Sequence, residues 1–127
     1  MHELQLAEGV LARIRARGGR QYDEKAYLFV LAAIEFLQTR LPARRHVSGA
    51  ELAEACRDLA REQFGLMAPS VLQFWGLTET LDFGRIVYAL VDLGLLVTQP
   101  GDRLEDFADV FDFADAFGAE YEWKELR

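Results

Sequence analysis

Apolar and polar positions alternate along the chain with a helical period almost throughout. Leu4, Leu6, Val10, Leu11 and Ile14 recur three or four residues apart, which predicts an amphipathic helix over residues 3–17, broken at Gly18-Gly19. Asp23 is placed to cap a second helix, expected over 24–41 and ended by Pro42. Its stripe of Tyr27, Leu28, Leu31, Ile34 and Leu41 is widened by Phe29, Val30, Phe36 and Leu37, so it is the expected central helix. Ser48-Gly49-Ala50-Glu51 reads as a capping box opening a helix from Gly49 to about Phe64, with Leu52, Ala55, Cys56, Leu59 and Ala60 inward. A shorter helix, Ala68–Trp75, follows and closes at Gly76.

The stretch Thr80–Phe117 carries a different pattern. Thr78 or Thr80 is the expected cap of a helix Leu81–Leu93, with Phe83, Ile86, Val87, Leu90 and Leu93 inward and Asp82, Arg85, Ala89 and Asp92 outward. After Gly94, Leu95–Thr98 has strand character, Gln99-Pro100-Gly101-Asp102 reads as a turn, and Arg103–Phe107 as a returning strand. From Asp106 onward, Phe107, Val110, Phe111, Ala114 and Phe117 resume helical spacing. The expected fold is therefore mainly α: a small helical domain with a winged-helix-like helix plus β-hairpin. One domain spans 1–127, with an N-terminal helix at 1–21, a core at 22–117 and an acidic C-terminal segment at 118–127.

Composition sharpens this picture. Half of the residues are hydrophobic (51%), which suits a folded domain of 127 residues. The formal charge is −7 and unevenly spread. Residues 1–61 hold ten Lys or Arg against eight Asp or Glu, and residues 102–127 hold three against nine. The single Cys56 leaves no intramolecular disulfide and suits a reducing compartment. No apolar run is long enough to span a membrane, and the N-terminus has acids where a signal peptide has cations. A cytoplasmic protein is expected.

A winged helix usually reads DNA, but the charge opposes it here. Asp82 and Asp92 on the would-be recognition helix, and Asp102, Glu105 and Asp106 on the would-be wing, would all face phosphates. Nucleic acid would have to meet the arginine-rich front instead, through Arg13, Arg15, Arg17, Arg20, Arg40, Arg44 and Arg45, with Arg40, Arg44, Arg45 and His46 as the candidate patch. Catalytic signatures are sparse. His2 and His46 have no metal-ligand partner at i+3 or i+4, and no phosphate loop or nucleophile elbow is present. The sequence therefore names no cofactor. Asp106, Asp109 and Asp112 read as a solvated helix face. An enzyme would draw on Arg45, His46, Glu51 and Asp82. Phe74, Trp75, Phe111, Phe113, Tyr121 and Trp123 are the candidate contact residues for a protein partner.

Several local motifs carry a family resemblance. They are Tyr22-Asp23 with Ala26–Val30, Arg45–Gly49 with Glu51-Leu52, Gln63-Phe64-Gly65 with Met67-Ala68, Val71-Leu72 and Trp75-Gly76, Asp82-Phe83-Gly84 with Ile86-Val87, Gly94-Leu95-Leu96, and Asp102-Arg103 with Asp106-Phe107 and Asp112-Phe113. On these the chain resembles a family of short bacterial proteins without assigned activity. The resemblance implies a shared fold and supplies no substrate, cofactor or catalytic residue. The leading expectation is a non-enzymatic protein-interaction module, with a homodimer as one form. A nucleic-acid-associated regulator and a small enzyme near His46 are the alternatives.

Overall fold

The computed structural model describes residues 2–17 and 21–117. Six helices follow in order: α1 (His2–Arg17), α2 (Glu24–Thr39), α3 (Gly49–Phe64), α4 (Ala68–Phe74), α5 (Thr80–Asp92) and α6 (Phe113–Phe117). Two 3₁₀ turns, Gly65–Met67 and Leu104–Phe107, complete the elements. Helices α2, α3 and α5 pack on one another to form the core; α1 lies on α2, and α4 lies on α3. The break expected at Gly18-Gly19 and the segment 118–127 lie outside the described residues.

Local sequence explains the helix ends. The Asp23 carboxylate accepts the Lys25 N–H at 2.9 Å and opens α2. Helix α2 stops at Thr39, two residues earlier than its apolar stripe predicts, because the residue before Pro42 is pushed out of the helical region. At α3 the capping box forms in full: Ser48 Oγ accepts from Glu51 N–H at 3.1 Å, and Glu51 Oε1 accepts from Ser48 N–H at 2.9 Å. Helices α4 and α5 both end in a Schellman closure. Leu77 N–H reaches the Leu72 carbonyl and Leu95 N–H reaches the Leu90 carbonyl, each at 2.9 Å, around Gly76 and Gly94 with φ of 91° and 76°.

The core matches the expected stripe on α5 and most of that on α3, whereas on α2 it centers on Ala26, Val30 and Ala33, and Leu28, Leu31 and Ile34 of the expected stripe are half-buried. Ala26, Val30 and Ala33 of α2, Ala53, Cys56 and Ala60 of α3, and Phe83, Ile86 and Leu90 of α5 are all sealed from solvent. The alanines of α2 and α3 let these helices approach closely. Two aromatic groups flank this center. Phe29, Phe64 and Trp75 meet at centroid distances of 5.6–6.0 Å. Phe83, Phe111, Phe113 and Phe117 form the other, at 5.5–6.1 Å.

The winged-helix reading is corrected at its hairpin: there is no strand among the described residues. Several of the backbone donors in this segment are used locally. Leu95 N–H closes α5, as above. Gln99 N–H goes to the Asp102 carboxylate at 2.8 Å, Pro100 has none to offer, and Arg103 N–H goes to Asp106 Oδ2 at 3.0 Å. The returning segment folds instead as the Leu104–Phe107 turn. Its anchor is Phe107, buried between Gly49 of α3 and Gly84 of α5. A Cβ at Gly84 would stand 2.7 Å from Phe107 Cγ and 2.9 Å from its Cβ, and one at Gly49 would meet the ring at 3.0 Å. Thr80 is not the cap of α5. Glu79 takes that position, and the buried Thr80 hydroxyl donates to the Phe107 carbonyl at 2.6 Å and accepts from Val110 N–H at 3.1 Å. The helix expected from Asp106 onward is correspondingly reduced to α6, whose first N–H groups, from Ala114 and Asp115, go to Asp112 Oδ1.

The outward face drawn for α5 is corrected too. Ala89 and Asp82 are buried, Arg85 is half-buried, and Asp92 alone of the four is exposed. The helix is enclosed by α2 and α3 on one side and by the Phe107 turn on another.

The seat of Phe107 yields a test with a change of sign. Gly84→Ala gains helix propensity of about 1 kcal/mol, yet with Phe107 present the clash at the root of the ring outweighs it, for a net loss of about 1–3 kcal/mol. In a Phe107→Gly background, which removes the Cβ as well as the ring, the same substitution is expected to stabilise. Urea unfolding of the four proteins in this cycle measures both values.

Candidate functional site

Two regions collect the residues that the sequence singles out. The first is a cleft of about 170 Å³ bounded by α2, the 45–49 link, α5 and the 96–107 segment. Ile34, Leu52, Val87, Leu96 and Phe107 line its apolar side, while Arg45, His46, Tyr88, Asp102, Arg103 and Asp106 supply the polar groups. The link from α2 to α3 carries Arg45 and His46 to the cleft, where Val87 and Tyr88 of α5 also line it. The seated Phe107 brings Asp102 and Asp106 from the other side.

Within the cleft the charged groups are matched to one another. His46 Nε2 lies 3.0 Å from Asp102 Oδ1, joining positions 56 residues apart. The Asp102 carboxyl is held below its ordinary range chiefly by the Gln99 N–H, which with the help of His46 outweighs the opposing effect of burial. Arg45 forks onto Glu51 at 2.7 and 3.2 Å and also donates to the His46 carbonyl at 2.9 Å. That guanidinium, with the Ser48 N–H, pulls the Glu51 carboxyl down to about 2. Tyr88 is pushed up by burial and then by Asp102, Asp106 and Glu105. The Ser48 hydroxyl is turned to the α3 N-terminus, where it accepts from Glu51 N–H.

Arg45 thus joins Glu51 to the His46 carbonyl at the edge of the cleft, but Asp82 does not join them. It is 3% exposed, at the start of α5, and pairs with Tyr22 from the α1–α2 connection. Its oxygens accept from Tyr22 O–H, Thr78 N–H at 2.9 Å, Glu79 N–H at 3.2 Å and Arg85 at 2.7 Å. Burial pushes this carboxyl up, and the donors together outweigh burial and hold it below the ordinary range. Tyr22 is raised in turn, by burial and by the carboxylate it faces. This pairing across 60 residues had no local signal in the sequence. Cys56 is sealed in α3, where burial raises the thiol and keeps it protonated.

The remaining members of the basic patch are also partnered. Arg44 forks onto Glu35 at 2.9 and 3.1 Å. Arg40 reaches Asp58 at 3.3 Å and lies 4.8 Å over the Phe36 ring. Among the described residues no group of three or more His, Cys, Asp and Glu is placed to hold a metal ion. No helix there is long and apolar enough to cross a membrane.

The second region is the face of α4 and the turn before it. Phe74 stands 78% exposed, Met67 61% and Leu66 38%. Trp75, one residue on, turns inward against Phe29 and Phe64. Phe111 and Phe113 are half-buried in the second aromatic group. Arg57 lies 5.6 Å over the Phe111 ring, and Arg61 lies 6.0 Å over the Phe117 ring while donating to the Ala116 carbonyl at 2.8 Å. Tyr121 and Trp123 lie outside the described residues. Met67 and Leu66 were not singled out from the sequence, although a signal was there. The sixteen residues Gln63–Thr78 form the longest uncharged run in a chain that is 28% charged.

Comparison of the chain with protein-family models, curated proteins and solved structures finds no match.

The Asp82 cluster sets an acid limit on stability. Asp82→Asn is expected to lose roughly 2–4 kcal/mol at neutral pH, since it leaves buried donors facing a weaker, partly mismatched acceptor. The folded carboxyl lies below its unfolded value of about 3.9, so its contribution is complete above that value and is lost as pH falls through the lower folded one. The gap between wild type and Asp82→Asn should therefore be widest between about pH 5 and 8 and close below about pH 4. Urea midpoints measured across that range check it.

Proposed function

We propose that the protein is a non-enzymatic protein-interaction module and that α4, with the turn before it, is its contact face. One observation carries this reading. The longest uncharged run of the sequence also exposes Leu66, Met67 and Phe74, three of the four large hydrophobic side chains exposed among the described residues. Monomeric surfaces scatter such residues singly. A face depleted of charge and enriched in Phe and Met has the composition of an interface center. Phe74 is a large, rigid anchor of the kind that dominates binding.

The charge arrangement favours this reading over nucleic-acid binding. Arg40, Arg44 and Arg45 are each engaged by Asp58, Glu35 and Glu51, so a phosphate would have to displace a carboxylate at each one. In the cleft, His46 and Arg45 are likewise held by Asp102 and Glu51, which supports a structural joint rather than a reaction center. Residence in a reducing cytoplasm belongs to the same reading, supported by the lone, buried Cys56.

Affinity capture on immobilised protein tests the module. Wild type is expected to retain a reproducible protein, either another copy of the chain or a different one, and the Met67→Glu/Phe74→Glu variant to retain at least about tenfold less. Both side chains are exposed, so the variant should keep the wild-type circular dichroism spectrum. Equal retention by the two proteins, or no retained protein, contradicts the proposal.

A further inference from the structure

We propose that the cleft between α2, α5 and the 96–107 segment binds a small organic cation, a free primary amine whose apolar body is about the size of one benzene ring. This site is separate from the α4 face and does not depend on it. The cleft measures about 170 Å³, and an apolar cavity of about 150 Å³ accommodates benzene. Leu52 and Phe107, each 4% exposed, line its apolar side with the half-buried Val87 and Leu96. Val97 also lines it, and at 89% exposure it is the one large hydrophobic side chain exposed away from the α4 face among the described residues. A bound apolar body would remove this surface from water.

The polar side decides the charge of the ligand, because its cations are engaged or turned away while acceptors stay open. Arg45 is forked onto Glu51, and His46 is set against Asp102. The Arg103 side chain is 71% exposed, and its Nε lies 4.0 Å from Asp106 Oδ1, too far for a hydrogen bond. Asp106 accepts the Arg103 N–H through Oδ2 alone, so Oδ1 has no donor among the described residues. The Tyr88 hydroxyl has no hydrogen-bond partner there either. Burial raises this phenol, and Asp102, Asp106 and Glu105 raise it further, so three carboxylates act on one point of the cleft. An ammonium beside Tyr88 and Asp106 supplies the missing donors, and its bond to a carboxylate is of the stronger, charge-assisted kind. An anion would meet the same three carboxylates and be repelled. The side chains of Asp102 and Asp106 are 24% and 34% exposed, whereas Leu52 and Phe107 are sealed. A ligand therefore enters apolar end first and keeps its charge at the mouth. A lysine side chain of another protein would arrive with its ammonium foremost, against the apolar wall, which is why the occupant is a free amine.

Benzylammonium, benzyl alcohol and benzoate share one shape and differ in charge, so titrating each into the isotope-labelled full chain near neutral pH tests the site by nuclear magnetic resonance. Benzylammonium should shift the amides of Val87, Tyr88, Leu96 and Asp106 to saturation, with a dissociation constant about tenfold or more below that of benzyl alcohol. Benzoate should give no saturable shift. Acetyl-lysine amide, the side chain as a protein would present it, should bind about tenfold or more weakly than benzylammonium. Asp106→Asn retains a carbonyl for the Arg103 N–H and should erase most of the preference for the amine over the alcohol. No saturable shift with benzylammonium, equal affinity for the alcohol, saturable binding of benzoate, or lysine binding as tight as the amine would each overturn the proposal. So would an Asp106→Asn protein that keeps the full preference. Should that variant fail to fold, the four ligands on the wild-type chain decide the matter alone.

Discussion

The contact on which the second half of this fold depends is the seating of Phe107 against Gly49 and Gly84. Two glycines on two helices create a slot that any side chain at Gly84 would fill. The ring that enters it pins the Leu104–Phe107 turn to α3 and α5. Its carbonyl is tied to Thr80, whose hydroxyl also receives Val110 N–H, so the chain beyond the seat is drawn down onto the start of α5. From there Phe111, Phe113 and Phe117 reach the second aromatic group. The seat also builds one wall of the cleft, since Asp102 and Asp106 flank it. Removing the ring would take support from α3, α5 and the cleft together.

The same segment explains how so acidic a chain folds compactly. Acids and phenylalanines alternate after Asp102, and each type has its own task. The phenylalanines bury, while the carboxylates accept backbone N–H groups at the ends of the short turns. Asp102 takes Gln99, Asp106 takes Arg103, and Asp112 takes Ala114 and Asp115. Carboxylates near helix N-termini are also favoured by the local dipole. Charge elsewhere is matched in pairs across the α2–α3 link and across the cleft. The α4 stretch is the part of the sequence left uncharged, and it exposes hydrophobic rings and chains instead.

Much of the fold was legible because its signals are local. The Ser48–Glu51 box, the Asp23 cap and the apolar stripes of α3 and α5 depend on neighbours within one or two turns, and they lie where the spacing puts them. The hairpin was misread for a physical reason. Leu95–Thr98 has strand composition, but a helix closure claims the Leu95 N–H, two carboxylates claim the N–H groups of Gln99 and Arg103, and the returning segment folds as a turn. Asp82 was misread because its position on a helical wheel says nothing of Tyr22, which arrives from 60 residues away to cover it. Likewise the pairing of Arg44 with Glu35 and of His46 with Asp102 is tertiary. Phe74 and Trp75 were contact candidates together, and telling the exposed ring from the inward one required the turn of α4.

Nuclear Overhauser spectroscopy on the intact chain tests the central contact most directly. The account predicts cross-peaks from the Phe107 ring to the Hα protons of Gly84 and Gly49, with the Gly84 Hα moved by the ring current. Cross-strand contacts between residues 95–98 and 103–107, with no Phe107–Gly84 cross-peak, would contradict it and restore the hairpin.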